Sequence, residues 1–143
     1  METKQYLGQI SRLDLMIKNK ISELSALREI CYGLSAISNE ERVQTTPNHD
    51  KIGTVVSKLD ELERKIDALV DEYADKRDKI ISQIDSMDDE VIYNVLFARY
   101  IEKKTFERIA ADMTYSFRQI CRIHNKALKE FEKKFGQEYK NMA

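Results

Sequence analysis

Arg118, Arg122, Asn125 and Lys129 recur at steps of three and four residues, with Cys121 among them, Lys126 alongside and Phe117 at the N-terminal tip. Residues so spaced share one face of an α-helix. Their types suit a helix that reads the major groove of duplex DNA. Arginine grips a guanine edge through two parallel hydrogen bonds, asparagine pairs with adenine, and an aromatic ring touches a thymine methyl. The candidate base-reading set is therefore Phe117, Arg118, Cys121, Arg122, Asn125 and Lys126. Lys103, Lys104, Thr105, Ser116 and Lys129 form a candidate phosphate-binding set, helped by backbone N–H groups at helix N-termini. The competing readings are a solvated face for the two arginines, a packing role for Phe117, and a three-helix unit that is structural or protein-binding.

No other chemistry is expected. His49 and His124 are far apart and lack ligand spacing, so no metal is implied. The acidic run Asp60, Glu61, Glu63, Asp67, Asp71, Glu72 and Asp75 reads as a solvated helix face. There is no glycine-rich phosphate loop and no nucleophile elbow. Neither a catalytic residue nor a cofactor is expected, and the chain does not read as an enzyme. Cys31 and Cys121 form no CxxC pair or disulfide framework, which suits free thiols in a reducing cytosol.

The elements that must hold this face lie between Val91 and Lys134. Val95, Leu96 and Tyr100 form the inner side of a first helix, and Glu102, Lys103 and Lys104 make a turn. Thr105 caps a compact second helix whose Phe106, Ile109 and Ala110 face inward. Met113, Thr114 and Tyr115 form the second turn. Ser116 caps the third helix, where Gln119 completes a capping box. Ile120, Ile123, Ala127, Leu128 and Phe131 supply its buried stripe. This pattern is a trihelical helix-turn-helix.

Upstream, Ile10, Leu13, Ile17, Leu24, Leu27, Cys31 and Leu34 mark one helix from about Lys4 to Ile37. A second runs from about Lys51 to Met87, with Ile52, Val55, Leu59, Leu62, Ile66, Leu69, Tyr73, Ile80 and Met87 on a seven-residue repeat and Lys76 and Gln83 as misfits. Each carries one apolar seam. The polar stretch Ser38 to Asp50 holds the only proline and reads as a loop, with Asp50 as N-cap of the second helix. Met16, Ile21, Tyr32, Val56, Val70 and Ile81 widen the seams and ask for a further surface. Ile84 to Glu90 breaks the pattern. Ser86 and Asp88 are cap candidates there, and Asp89 and Glu90 favour the positive helix end. The expected fold is all-α: a long antiparallel, coiled-coil-like helical hairpin over residues 1–87, followed by the helix-turn-helix domain over 88–143.

Charge follows the same division. Val91 to Ala143 holds 11 Lys/Arg against 6 Asp/Glu, and Met1 to Glu90 holds 13 against 19, although the whole chain carries only −1. A basic C-terminal unit suits contact with a polyanion. No apolar stretch approaches the ~20 residues that span a bilayer, so a soluble, cytoplasmic protein without membrane contact is expected.

LFARYIEKKTFERIAADMTYSFRQICRIHNKALKEF resembles the fourth conserved region of bacterial sigma factors. The matched features are Arg99-Tyr100, Thr105, Ile109-Ala110, Ser116, Ile120, Ile123 and Lys126-Ala127-Leu128. The resemblance implies promoter binding, with contacts at Phe117, Arg118, Cys121, Arg122 and Lys126. Nearly the whole chain, with YLGQISRLDLMIKNKISEL and ERVQTT…DKIG, resembles sigma-region-4-like or ArpU-type regulators from phages and prophages of low-GC Gram-positive bacteria. Departures are Thr114, where glycine, asparagine or aspartate better tolerates a left-handed backbone, and Arg108 and Phe117, which preclude transferring a sequence preference. No region for melting a promoter is recognisable. The expected function is a phage-type DNA-binding transcriptional regulator. Its hairpin would serve self-association, with a dimer favoured, or contact with RNA polymerase. A DNA-recognition subunit of phage packaging, akin to a small terminase, and a helical scaffold without a DNA role are the alternatives.

Overall fold

The structure, a computed structural model, describes residues 1–40 and 49–142. Among them the chain is helical throughout: α1 (Thr3–Leu7), α2 (Gln9–Glu40), α3 (His49–Asp85), α4 (Glu90–Leu96), a π-helical turn (Phe97–Ile101), α5 (Phe106–Met113) and α6 (Phe117–Tyr139). The architecture is a long antiparallel helical hairpin followed by a helix-turn-helix. Several boundaries differ from expectation. The first helix is divided at Gly8 into α1 and α2, and α2 runs on to Glu40. α3 ends at Asp85 and begins at His49, which puts Asp50 inside its first turn rather than ahead of it. Residues 41–48 of the expected loop, and the side chains of residues 34–40, 49 and 50, among them the seam residue Leu34, His49 and Asp50, lie outside the described residues.

The chain forms two compact units, one of Asp14–Glu72 and one of Met1–Leu13 with Tyr73–Ala143. In the first, α2 and α3 pair through the expected seam. Ile17, Leu24 and Leu62 are buried, while Leu27, Cys31, Ile52, Val55, Leu59, Ile66 and Leu69 are half-buried. Two helices cannot enclose an interior, so most of the seam keeps one edge in solvent. Arg28 bridges to Glu63 at 2.9 Å on one flank.

The second unit runs across the expected boundary at residues 87/88. Its main core joins Tyr6, Leu7 and Ile10 to Ile80 and Ile84 of α3, Ile92, Leu96, Tyr100 and Ile101 of the α4 region, and Ala127, Phe131 and Tyr139 of α6. The trihelix is too small to bury Phe131 and Tyr139 by itself, and the start of the chain and the end of α3 cover them. Ile81, one of the stripe-widening residues, is partly buried against this core. Tyr6 stacks on Tyr139 at 4.3 Å between ring centroids.

Two polar links lie in the same core, one buried and one that reaches out to the exposed Glu138. Thr3 Oγ1 and Tyr139 OH are 2.7 Å apart. Tyr6 OH donates to Gln83 Oε1 at 2.7 Å, and Gln83 Nε2 donates to Glu138 Oε2 at 2.9 Å. The seam misfit Gln83 is thus a buried residue with both ends of its amide satisfied. Burial pushes the Tyr6 hydroxyl pKa upward, against the lowering effect of its bond to Gln83, so the phenol stays a donor.

α4 is capped by Asp89, whose carboxylate accepts from the N–H groups of Val91 and Ile92 at 2.9 and 3.3 Å. Ser86 and Asp88 were the expected caps. Asp89 takes the role because it directly precedes the first helical residue in an extended conformation (φ −85°, ψ 117°). Ser86 instead closes α3, donating from Oγ to Gln83 O at 2.6 Å.

Replacing Gln83 with alanine leaves Tyr6 OH buried without its acceptor. A loss of about 1–3 kcal/mol of unfolding free energy is expected, the cost of an unsatisfied buried group, and chemical denaturation of Gln83→Ala beside wild type measures it.

Candidate nucleic-acid interface

α6 is fixed by what its inner side buries. Ile120 packs with Val95, Ile109 and Ala110, joined by Ala98, Phe106, Met113 and Ile123, in a second small core. Two turns further on Ala127, and one turn after it Phe131, enter the main core. The expected inward residues of all three helices are therefore buried or half-buried, with Phe106 and Ile123 at the margin.

The two turns have the geometry their residues imply. Thr105 Oγ1 accepts from the Arg108 N–H at 3.2 Å. Ser116 and Gln119 form the reciprocal capping box, Ser116 N–H to Gln119 Oε1 at 2.9 Å and Gln119 N–H to Ser116 Oγ at 3.2 Å. Thr114 takes the left-handed conformation (φ 57°, ψ 35°) despite its branched side chain. The backbone turn is thus the ordinary left-handed helix end, and the threonine carries strain that glycine would not.

The first helix of the motif ends in a π-helical turn, closed by the Glu102 N–H on Phe97 O at 3.0 Å. Arg99, within this turn, reaches across the loop. Its Nη1 donates to Lys104 O at 3.0 Å, and its guanidinium lies 4.2 Å from the centre of the Phe106 ring. Arg99 is thus a clamp between helices rather than an outward cation. Its place in the matched Arg99-Tyr100 pair was the only sequence signal for it.

The candidate base-reading residues stand on the opposite side of α6. Arg118, Arg122, Asn125 and Lys126 are exposed, as is Phe117, and Cys121 is half-buried. Phe117 is 49% exposed and meets the Phe106 ring edge-on at 6.4 Å, so packing sets its direction while one side stays open. From Phe117 to Lys129 the helix carries four cations (Arg118, Arg122, Lys126 and Lys129) and no carboxylate.

The phosphate-binding candidates divide. Ser116, Thr105, Lys103 and Lys129 are exposed, and Lys103 stands at a positive φ of 60°. Lys104 is held between Glu102 Oε2 at 3.0 Å and Asp112 Oδ2 at 3.1 Å. Its hydrogen bonds to these two carboxylates raise its pKa. Its charge is compensated within the turn, which weakens its case for phosphate. Sequence spacing gave no sign of this, because Asp112 arrives from the far end of α5.

His124 sits between the two cores and is buried. Its Nε2 lies 2.7 Å from Tyr100 OH, and its ring meets Phe106 edge-on at 4.9 Å. Burial, with the Arg99 and Lys4 charges, pushes its pKa down to about 4. Burial pushes Tyr100 up to about 12. At neutral pH a phenol and an uncharged imidazole therefore share this hydrogen bond. Among the described residues no group of three or more His, Cys, Asp or Glu is placed to hold a metal. No described helix is long and apolar enough to cross a membrane.

Two outcomes follow for this unit. Because folded His124 titrates near 4 rather than 6.5, the unfolded chain binds more protons between these values. Stability is complete above about pH 6.5 and falls as pH drops toward 4, by roughly 1.4 kcal/mol per unit at the most. Denaturation curves across that range should show the slope, and His124→Gln should remove most of it. Thr114→Gly should raise the melting temperature, gaining up to about 1 kcal/mol from relieved backbone strain, whereas Thr114→Val should lower it. In comparisons with known proteins, no family model, curated protein or solved structure matches the chain.

Proposed function

We propose that the chain is a transcriptional regulator of phage type that binds double-stranded DNA by laying α6 in the major groove. The observation that carries the reading is the outer face of α6. It is exposed, basic and free of carboxylates, and the capping and packing of a helix-turn-helix hold it outward. Arg118, Arg122, Asn125 and Lys126 would meet base edges, with Phe117 and Cys121 against the apolar parts of the groove. Ser116, Thr105, Lys103 and Lys129 would meet phosphates and set the register, aided by the first-turn N–H groups of α6. Lys104 would contribute least, since Glu102 and Asp112 already neutralise it. The acidic hairpin is assigned self-association or contact with RNA polymerase.

The test is binding of the full chain to duplexes selected from a randomised pool, measured over a range of salt. The logarithm of affinity should fall linearly with the logarithm of salt, by about 0.9 per phosphate neutralised. Arg118→Ala and Arg122→Ala should each cost about 1–3 kcal/mol and relax sequence preference. Lys104→Ala should cost less than either. No duplex binding at low salt, or equal binding by wild type and the Arg118→Ala/Arg122→Ala double variant, would overturn the reading.

A further inference from the structure

The hairpin unit, Asp14–Glu72, shows apolar side chains that its own seam does not use. Ile21, Tyr32, Val56 and Val70 are exposed, Tyr32 by 74%. All four lie on the flank that carries the Arg28–Glu63 bridge. Ile21 is seven residues before Arg28, and Tyr32 is four after it. Val56 and Val70 are seven residues either side of Glu63. Steps of four and seven return a helical residue to nearly the same face. Since α2 and α3 run antiparallel with Arg28 level with Glu63, Ile21 is level with Val70. The flank is therefore a second heptad stripe with an apolar Ile21–Val70 layer on one side of the Arg–Glu layer and, on the other side, Tyr32 and Val56 about one turn out of level with each other. The opposite flank also exposes Met16 and Ile30, seven residues either side of Glu23, but differs on its α3 side, where Lys58, Glu61 and Lys65 line the groove instead of valines.

We propose that the Arg28–Glu63 flank is a self-association surface that takes a second copy of this chain, docked in parallel about a two-fold axis lying along the helices. The charge pattern selects both occupant and orientation. With the axis along the helices, α2 of one copy faces α3 of the other at the same level. Arg28 of each copy then meets Glu63 of its partner copy, and four charges alternate around one neutral layer. Ile21 of each copy meets Val70 of the other, closing an apolar layer beside it. With the axis across the helices, Arg28 would face Arg28 and Glu63 would face Glu63, juxtaposing like charges at the centre of the interface. The parallel arrangement is isologous, as closed dimers require, and leaves residue 72 of both copies at one end of the bundle. Every residue in it lies within Asp14–Glu72, so the proposal stands whether or not α6 binds DNA.

The test uses the full chain in analytical ultracentrifugation and native mass spectrometry, with circular dichroism to confirm that each variant is helical. Arg28 and Glu63 are both about half exposed, so changing them leaves folding largely intact. Wild type should be a dimer. Arg28→Glu or Glu63→Arg alone places four like charges in one layer and should weaken the dimer at least ~10-fold, and the double swap R28E/E63R should restore it. Orientation is read with both native cysteines replaced by serine. A short bismaleimide should join an Ile21→Cys chain to a Val70→Cys chain, and should not join two Arg28→Cys chains to each other. A monomeric wild type, a larger closed ring, a dimer indifferent to Arg28→Glu, or efficient coupling of two Arg28→Cys chains would each overturn the proposal.

Discussion

The structure turns on the requirement that one side of α6 be buried along nearly its whole length, in two cores that follow one another. Ile120 belongs to the small core of the trihelix, and Ala127, Phe131 and Tyr139 belong to the larger one built with α1 and α3. A helix gripped at both ends of its apolar stripe has no rotational freedom. Turning it by one residue would expose Ile120 and Phe131 and drive Arg118 or Arg122 toward apolar surroundings, where an unpaired charge is costly. The outward basic face is thus a consequence of the inward apolar one. His124 occupies the seam between the cores, and Tyr100 satisfies it there without a charge.

Much of this was legible from spacing alone. The three- and four-residue steps placed the inner residues of α4, α5 and α6, and Thr105 as a cap and the pair Ser116–Gln119 marked two helix starts that the hydrogen bonds reproduce. Local rules work for such features because partners lie within one turn. What spacing could not reach are contacts made across the chain. Nothing local to Gln83 shows that Tyr6 and Glu138 will meet its amide, so it looked like a flaw in a heptad. Nothing local to Lys104 shows Asp112 approaching it. The start of the chain read only as a hairpin arm, whereas its first 13 residues belong to the core around α6. The cap of α4 was misplaced by one residue or more, since Ser86, Asp88 and Asp89 all have suitable side chains and spacing does not show which directly precedes the first helical residue.

The polar links of the main core supply a specificity that the apolar seams lack. A heptad seam tolerates a slip of seven residues, because one leucine layer resembles the next. Tyr6, Gln83 and Glu138 have no such equivalents. Their hydrogen bonds, with that between Thr3 and Tyr139, exist in one alignment only. A slipped pairing would leave a phenol and an amide buried without partners, each costing about 1–3 kcal/mol. The network therefore acts as a key for the alignment of α1, α3 and α6, much as a single polar residue fixes register in a coiled coil.

The discontinuous unit also dictates an order of events during synthesis. The segment Asp14–Glu72 is continuous in the chain and can pair as soon as it has left the ribosome. Tyr6, Leu7 and Ile10 emerge earlier, yet their partners Phe131 and Tyr139 are translated last. For most of elongation those three side chains must wait in water, and the basic face of α6 cannot be held outward until nearly the final residue is added. A nascent chain of this protein thus has an assembled hairpin well before α6 is complete.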